Sequence, residues 1–307
     1  MNKQFISQNL EFLGRQYESE YLEIWKDTNM NSNSWKALKF FFSHSFMRGR
    51  RDELSVEYYE FTIKVLSDYF NIIPVENSND LFKQLKKAKD KNLFNTNGIK
   101  ELKNGKSNSI KHKDFEKKIK QKNSIIDRLT SKSKIEIEFP KDNYYTKSLC
   151  LQNDADLLMV LDTLNFMSIS DSNTNLYKYF NDLIKEDQID IAYSELNKLS
   201  GVGDKISTFF LRDIAIMNNY NLAENKMKYI FPVDTWVAQI AALLADRKFS
   251  AEKPHEIKRY FIQNFPEKNL PLIAAGIWFL GFNSLNIAIQ YVKYNNIEEN
   301  KTTMANK

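Results

Sequence analysis

LSGVGDKISTFFLRD, residues 199–213, carries two glycines within five residues and a lysine at the start of the apolar run that follows. IAYSELNKL (191–199) precedes it and ISTFFL (206–211) lies within it, so both flanks read as helices that bury one face. Between them LSGVG is a tight reversal, because glycine permits a positive φ or a close backbone approach that a Cβ hinders. A helix opening behind such a turn leaves several backbone N–H groups without an intrahelical acceptor. Those donors can hold a phosphate without any side-chain charge, although the same residues also suit an ordinary corner between two helices. Lys205 falls in the first turn of the second helix, where the helix field and partial desolvation both work against an ammonium group. A lysine held partly as the free amine can attack an electrophilic sugar carbon and go on to a Schiff base. A surface lysine or a phosphate contact is the plainer alternative.

Downstream, FPVDTWV (231–237) places Asp234 at the opening of another helix, where its carboxylate suits an N-cap for the Trp236 or Val237 amide. Pro232 constrains the chain entering that helix. From residue 153 onward the pattern is helical. DADLLMVLDTLNF (154–166), NTNLYKYFNDLIKED (173–187), IDIAYSELNKL (189–199) and a helix from Asp204 to about Asn218 come first. VDTWVAQIAALLAD (233–246), HEIKRYFIQNF (255–265) and NLPLIAAGIWFLGFNSLNIAIQYV (269–292) follow. DSN at 171–173 reads as a polar start signal, and NNYNLAENKMKYI (218–230) as a loop extension.

Toward the N-terminus, residues 4–26 read as an amphipathic helix, WKALKFFFSHSFM (35–47) as a largely buried one, and VEYYEFTIKVLSDYF (56–70) as a third. MRGRRDELS (47–55) interrupts them. Residues 81–134 hold sixteen Lys and one Arg against two Glu and three Asp, a charge of +12, whereas the whole 307-residue chain carries +5. The basic character is therefore local. Such a block attracts a polyanion by displacing counterions, or is a solvated insertion. Within KSKIEIEFPKDNYY (132–145), Ile135, Ile137 and Phe139 alternate with Glu136 and Glu138, the pattern of a short strand in a hairpin.

These segments divide the chain into an N-terminal helical part (1–80), a lysine-rich insertion with a short strand or hairpin (81–150), a helical subdomain (151–240), C-terminal helices that pack with the N-terminal segment (241–295) and a polar tail (296–307). Helices of ten to eighteen residues joined by short loops argue for an all-α packing of two sub-units with a groove between them. The single cysteine, Cys150, excludes an internal disulfide and a multi-cysteine metal site. His44, His112 and His255 show no ligand spacing, so neither metal nor cofactor is expected. Neither a signal peptide nor an apolar run near 18 residues is found, so the expectation is a soluble cytoplasmic protein without a membrane partner.

LSGVGDK followed by PVDTW resembles the helix-hairpin-helix DNA glycosylase superfamily, closest to its lysine-bearing oxoguanine glycosylase/AP lyases, including the archaeal forms. The specific match covers residues 191–240, and the helical order extends it loosely over 153–291. GIWFLG (276–281) is also similar to the last helix of archaeal members. The resemblance implies two helical subdomains flanking a DNA-binding cleft, and the expected partner of this chain, taken as a monomer, is double-stranded DNA that carries a modified base. It puts Lys205 on the catalytic lysine, which attacks C1′, and Asp234 on the catalytic aspartate, which stabilises developing oxocarbenium charge. Leu199, Ser200, Gly201, Val202 and Gly203 would grip the DNA backbone. The lysine–aspartate spacing is 29 residues here, against roughly twenty in the family.

A flipped nucleotide also needs a pocket and something to fill the gap it leaves. Trp236 stands where the oxoguanine-type enzymes often have histidine, and Trp278, Phe279 and Phe282 are candidates to stack on an extruded base, or else core residues. Arg48, Arg50 and Arg51 are candidate phosphate or base-edge contacts, and Phe46 or Met47 a candidate wedge, with a solvated corner as the equally simple alternative. The N-terminal antiparallel sheet of the eukaryotic oxoguanine enzymes is not evident, and the lysine-rich insertion has no clear equivalent. The expected activity is therefore excision of a damaged or modified base, 8-oxoguanine first, by a bifunctional glycosylase/AP lyase acting at the nucleoid. The alternatives are a monofunctional glycosylase, one directed at modified phage DNA, a non-enzymatic DNA-binding module, and a structural or protein-interaction domain.

Overall fold

The computed structural model describes residues 3–26, 29–47, 52–71, 78–90, 124–139, 143–245, 247–250, 252–265, 269–281 and 283. The chain opens with α1 (Lys3–Tyr17), a π turn (Glu18–Leu22) and α2 (Glu23–Lys26), one helical run where residues 4–26 predict one. Then come α3 (Ser34–Ser45), α4 (Asp52–Phe70), α5 (Ser78–Asp90) and α6 (Ile125–Thr130). The two strands β1 (Ser133–Phe139) and β2 (Asn143–Leu149) pair antiparallel. After them lie α7 (Asp154–Met167), α8 (Asp171–Thr174), α9 (Leu176–Lys185), α10 (Ile189–Lys198) and α11 (Asp204–Met217). A 3-10 helix (Glu224–Tyr229), α12 (Thr235–Ala245), α13 (Pro254–Asn264) and α14 (residues 270–281) complete the described chain. The fold is all-α with one small β-hairpin. No helix among the described residues is long and apolar enough to cross a membrane.

Two units emerge, one of residues 24–214 and one of residues 1–23 with 215–307. In the first, α3 starts where Asn33 accepts a hydrogen bond from the Lys36 amide at 3.0 Å, which satisfies one of the orphan donors of a helix start. It then delivers Phe40, Phe41 and Phe42, all fully buried, to the core. Phe210 of α11 meets Phe40 at 5.5 Å and Phe41 at 5.2 Å between ring centres, and Phe180 of α9 at 5.8 Å. Burial of each such ring contributes about 1.5–3 kcal/mol, enough to set how α3, α9 and α11 pack. The hairpin is fixed on α4 by its side chains. Ile135 and Ile137 point inward, Lys134 and Glu136 outward, and on β2 the Tyr145 hydroxyl and the Lys147 ammonium donate to Glu57 at 2.8 and 2.7 Å.

Two stretches differ from the sequence expectation. The helix expected from 173 to 187 is split: α8 ends at Thr174, and Asn175 caps α9 by accepting from the Lys178 amide at 2.9 Å. Asn175 also donates to the Met30 carbonyl at 2.7 Å, a long-range bond that no local pattern announces. The loop extension at 218–230 contains the 3-10 helix, with Met227 and Ile230 buried. Residues 91–123, most of the lysine-rich block, lie outside the described residues.

In the second unit, α1 and α14 meet backbone to backbone. A Cβ on Gly276 would lie 1.9 Å from the Leu10 carbonyl oxygen, and one on Gly14 would lie 2.1 Å from that of Leu272. Each helix thus offers a glycine to the carbonyl of the other, and the neighbours that would have to move are main-chain atoms. Gly276→Ala is expected to force the helices apart and lower stability by about 3 kcal/mol, at the upper end of overpacking costs. A denaturation midpoint unchanged from the parent would contradict that account. Phe231 stacks on Phe261 of α13 at 4.9 Å, and Phe261 on Phe265 at 5.7 Å, forming part of this unit's aromatic core.

Candidate functional site

The α10–α11 connection is a turn whose geometry follows from its residues. The Val202 amide donates to the Leu199 carbonyl at 3.0 Å, and Gly201 has φ 74°, so Leu199–Val202 is a type II turn with glycine at the position that needs positive φ. Leu199 and Val202 are buried and anchor the loop, whereas Gly201 and Gly203 are exposed. A Cβ on Gly203 would meet nothing within 4 Å, and its φ is not in the left-handed range. Among the described residues nothing therefore requires glycine at 203, and the space beside it is open.

Asp162 of α7 holds the turn from beneath, its Oδ2 accepting from the Ser200 amide at 3.0 Å. Gly203 begins α11, its carbonyl accepting from the Ser207 amide at 3.0 Å. Asp204 and Lys205 are then the first two helical residues. Asp204 suits the positive helix end and accepts from the Tyr193 hydroxyl of α10 at 2.7 Å, which ties the two helices together across the turn. Lys205 is half-buried in the same first turn.

Asp234 is the N-cap the sequence suggests. Its Oδ1 accepts from the Val237 amide at 3.0 Å, and its carbonyl takes the first helical bond, from Ala238. Lys205 belongs to the unit of residues 24–214 and Asp234 to the other. Trp236, half-buried, lies against Gly281 of α14, where an added Cβ would come 2.5 Å from the Trp236 Cβ. Trp278 and Phe279, also half-buried, join a cluster with α1 and the π turn. Trp278 sits edge-on to Tyr17 at 5.6 Å and Tyr21 at 5.9 Å, and Phe279 edge-on to Tyr21 at 6.4 Å. Phe46 is buried against Phe42 at 5.9 Å, and Met47 is half-buried. Arg48, Arg50, Arg51 and Phe282 lie outside the described residues.

One charged cluster escaped sequence reasoning. Arg212 and Asp213, on the buried side of α11, are fully buried, and Asp213 accepts from Arg212 Nε at 2.7 Å. His44 of α3 lies with Nε2 2.8 Å from Asp213 Oδ2 and Nδ1 2.7 Å from the Phe40 carbonyl, so Nδ1 carries a hydrogen. Arg212 also covers the Phe209 ring at 4.5 Å. Burial works to raise the Asp213 carboxyl, but the adjacent guanidinium and the hydrogen bond from His44 outweigh it and hold the group below its ordinary range. The available signal was RD set inside the apolar run ISTFFLRDIAIM (206–217). Charges in such a run argue for a buried pair.

Comparison with protein-family models, with curated proteins and with solved structures finds no match for this chain.

Proposed function

We propose that the chain is a DNA glycosylase with AP lyase activity, acting on a damaged or modified base with oxidised guanine as the first candidate. Support rests on one observation: a turn with exposed glycines, pinned from below by Asp162, opens directly onto a helix whose second residue is Lys205. Backbone N–H groups at such a start suit a DNA phosphate, and a lysine beside them is within reach of the attached sugar. The Lys205 amine would bond to C1′ as the glycosidic bond breaks and its electron pair leaves with the base. Opening of the sugar ring yields a Schiff base, and loss of a C2′ proton then expels the 3′-phosphate. The Asp234 carboxylate would stabilise the positive charge that develops on the sugar.

Borohydride reduction in the presence of duplexes carrying a panel of base lesions tests this. A covalent protein–DNA adduct is expected on at least one lesion. Base release without an adduct would assign hydrolysis to Asp234 and leave Lys205 as a phosphate contact. An unmodified protein with no base released across the panel overturns the proposal.

A further inference from the structure

At the far end of α12 from Asp234, a surface pocket of about 530 Å³ opens between the end of that helix and α13. Its lining includes Arg247, His255, Arg259, Tyr260 and Gln263. His255, Arg259 and Gln263 follow one another at four-residue intervals, so they form a single stripe along α13. Arg247 faces them from the end of α12, where its amide donates back to the Ala242 carbonyl at 3.2 Å. Its guanidinium lies over the Phe249 ring at 4.4 Å, and that ring leans on Tyr260 at 5.7 Å. Backbone anchoring and stacking hold the fork in place and leave its N–H edge for a partner. Burial pushes the Tyr260 hydroxyl up and the Arg247 charge draws it part of the way back.

Among the described residues, neither Arg247 nor Arg259 has a carboxylate within ion-pair distance. Glu256 also lines the pocket and is 3.6 Å from the Lys253 ammonium. Two guanidiniums, an imidazole, a phenol and two side-chain amides provide donors, and among the described lining residues Ala245 alone is aliphatic, too little to hold a base or an acyl chain. We propose that this pocket is a phosphate site, filled either by the backbone of a nucleic acid or by a small phosphoester. Since α12 has 11 residues, the site lies about 16 Å along that helix from Asp234. It does not depend on the chemistry assigned to Lys205.

The test is the double substitution R247Q/R259Q in the full chain. Both side chains are exposed, so the fold should be retained, as far-UV circular dichroism and the unfolding midpoint can verify. Binding of a fluorescent, unmodified 20-base-pair duplex is followed by anisotropy over a KCl series, and binding of pyrophosphate by calorimetry. If the ligand is a nucleic-acid backbone, the double variant binds the duplex at least about tenfold more weakly at low salt. Its plot of log K against log salt is then shallower by about 2, from the loss of two phosphate contacts. If the ligand is a small phosphoester, the parent binds pyrophosphate, the variant does not, and duplex affinity is unchanged. Duplex affinity within twofold and no pyrophosphate binding by either protein overturns the proposal. The duplex carries no lesion and no borohydride is used, so failure here is distinguishable from failure of the glycosylase proposal.

Discussion

Asp213→Ala should lower the stability of the chain by about 3–5 kcal/mol, a large share of the 5–15 kcal/mol that holds a domain folded. The reason is the company the carboxylate keeps. Arg212 is fully buried and bonded to it, and removing Asp213 takes a buried carboxylate away from that guanidinium and from His44. Asp213→Asn keeps the volume and one acceptor, so its loss should be smaller, and the order parent, Asn, Ala should appear in urea midpoints at pH 7. The sign of the acid dependence follows from the lowered carboxyl. A group that ionises more readily when folded stabilises fully above its unfolded value of about 3.9, and that contribution is lost as pH falls through the folded value. The gap between parent and Asn variant should therefore narrow as the buffer is taken from pH 5 toward pH 3. An Ala variant within 1 kcal/mol of the parent would mean that the pair contributes little net stability.

Lys205→Ala should abolish the borohydride adduct, and Asp234→Asn should slow base release by at least about 10³-fold while the protein stays folded. The asparagine variant isolates chemistry from architecture, because Asn caps a helix as well as Asp does and the bond from the Val237 amide survives. Lys205 is half-buried at a helix start that keeps the tie between Tyr193 and Asp204, so its truncation should leave the turn in place. Unfolding midpoints close to the parent's, alongside lost activity, separate a chemical role from a structural one. Persistence of the adduct in Lys205→Ala would assign the nucleophile to another amine.

Local features were legible in the sequence wherever the physics is local. Asp234 was readable as a cap because the donor it serves is three residues away. The hairpin was readable because Ile135 and Ile137 alternate with charged neighbours on a strand that faces the core on one side. The corner at 199–203 was readable from its glycines, yet the roles divide: Gly201 is demanded by its φ, and Gly203 by nothing among the described residues. What stayed hidden depends on partners distant in sequence. His44 meets Asp213 across 169 residues, Asp162 reaches Ser200 across 38, and Leu10 receives Gly276 only when α1 and α14 cross. No periodicity encodes such pairings, and a charge in an apolar run announces only that some partner exists.

The glycine crossing of α1 and α14 also imposes an order on folding during synthesis. Residues 24–214 can collect their own core as they leave the ribosome, but α1 must keep its apolar face covered by other means until residues 270–281 emerge. α1 is therefore among the last of these helices to settle, and truncation before residue 270 should leave a nascent chain in which α1 lacks its α14 partner.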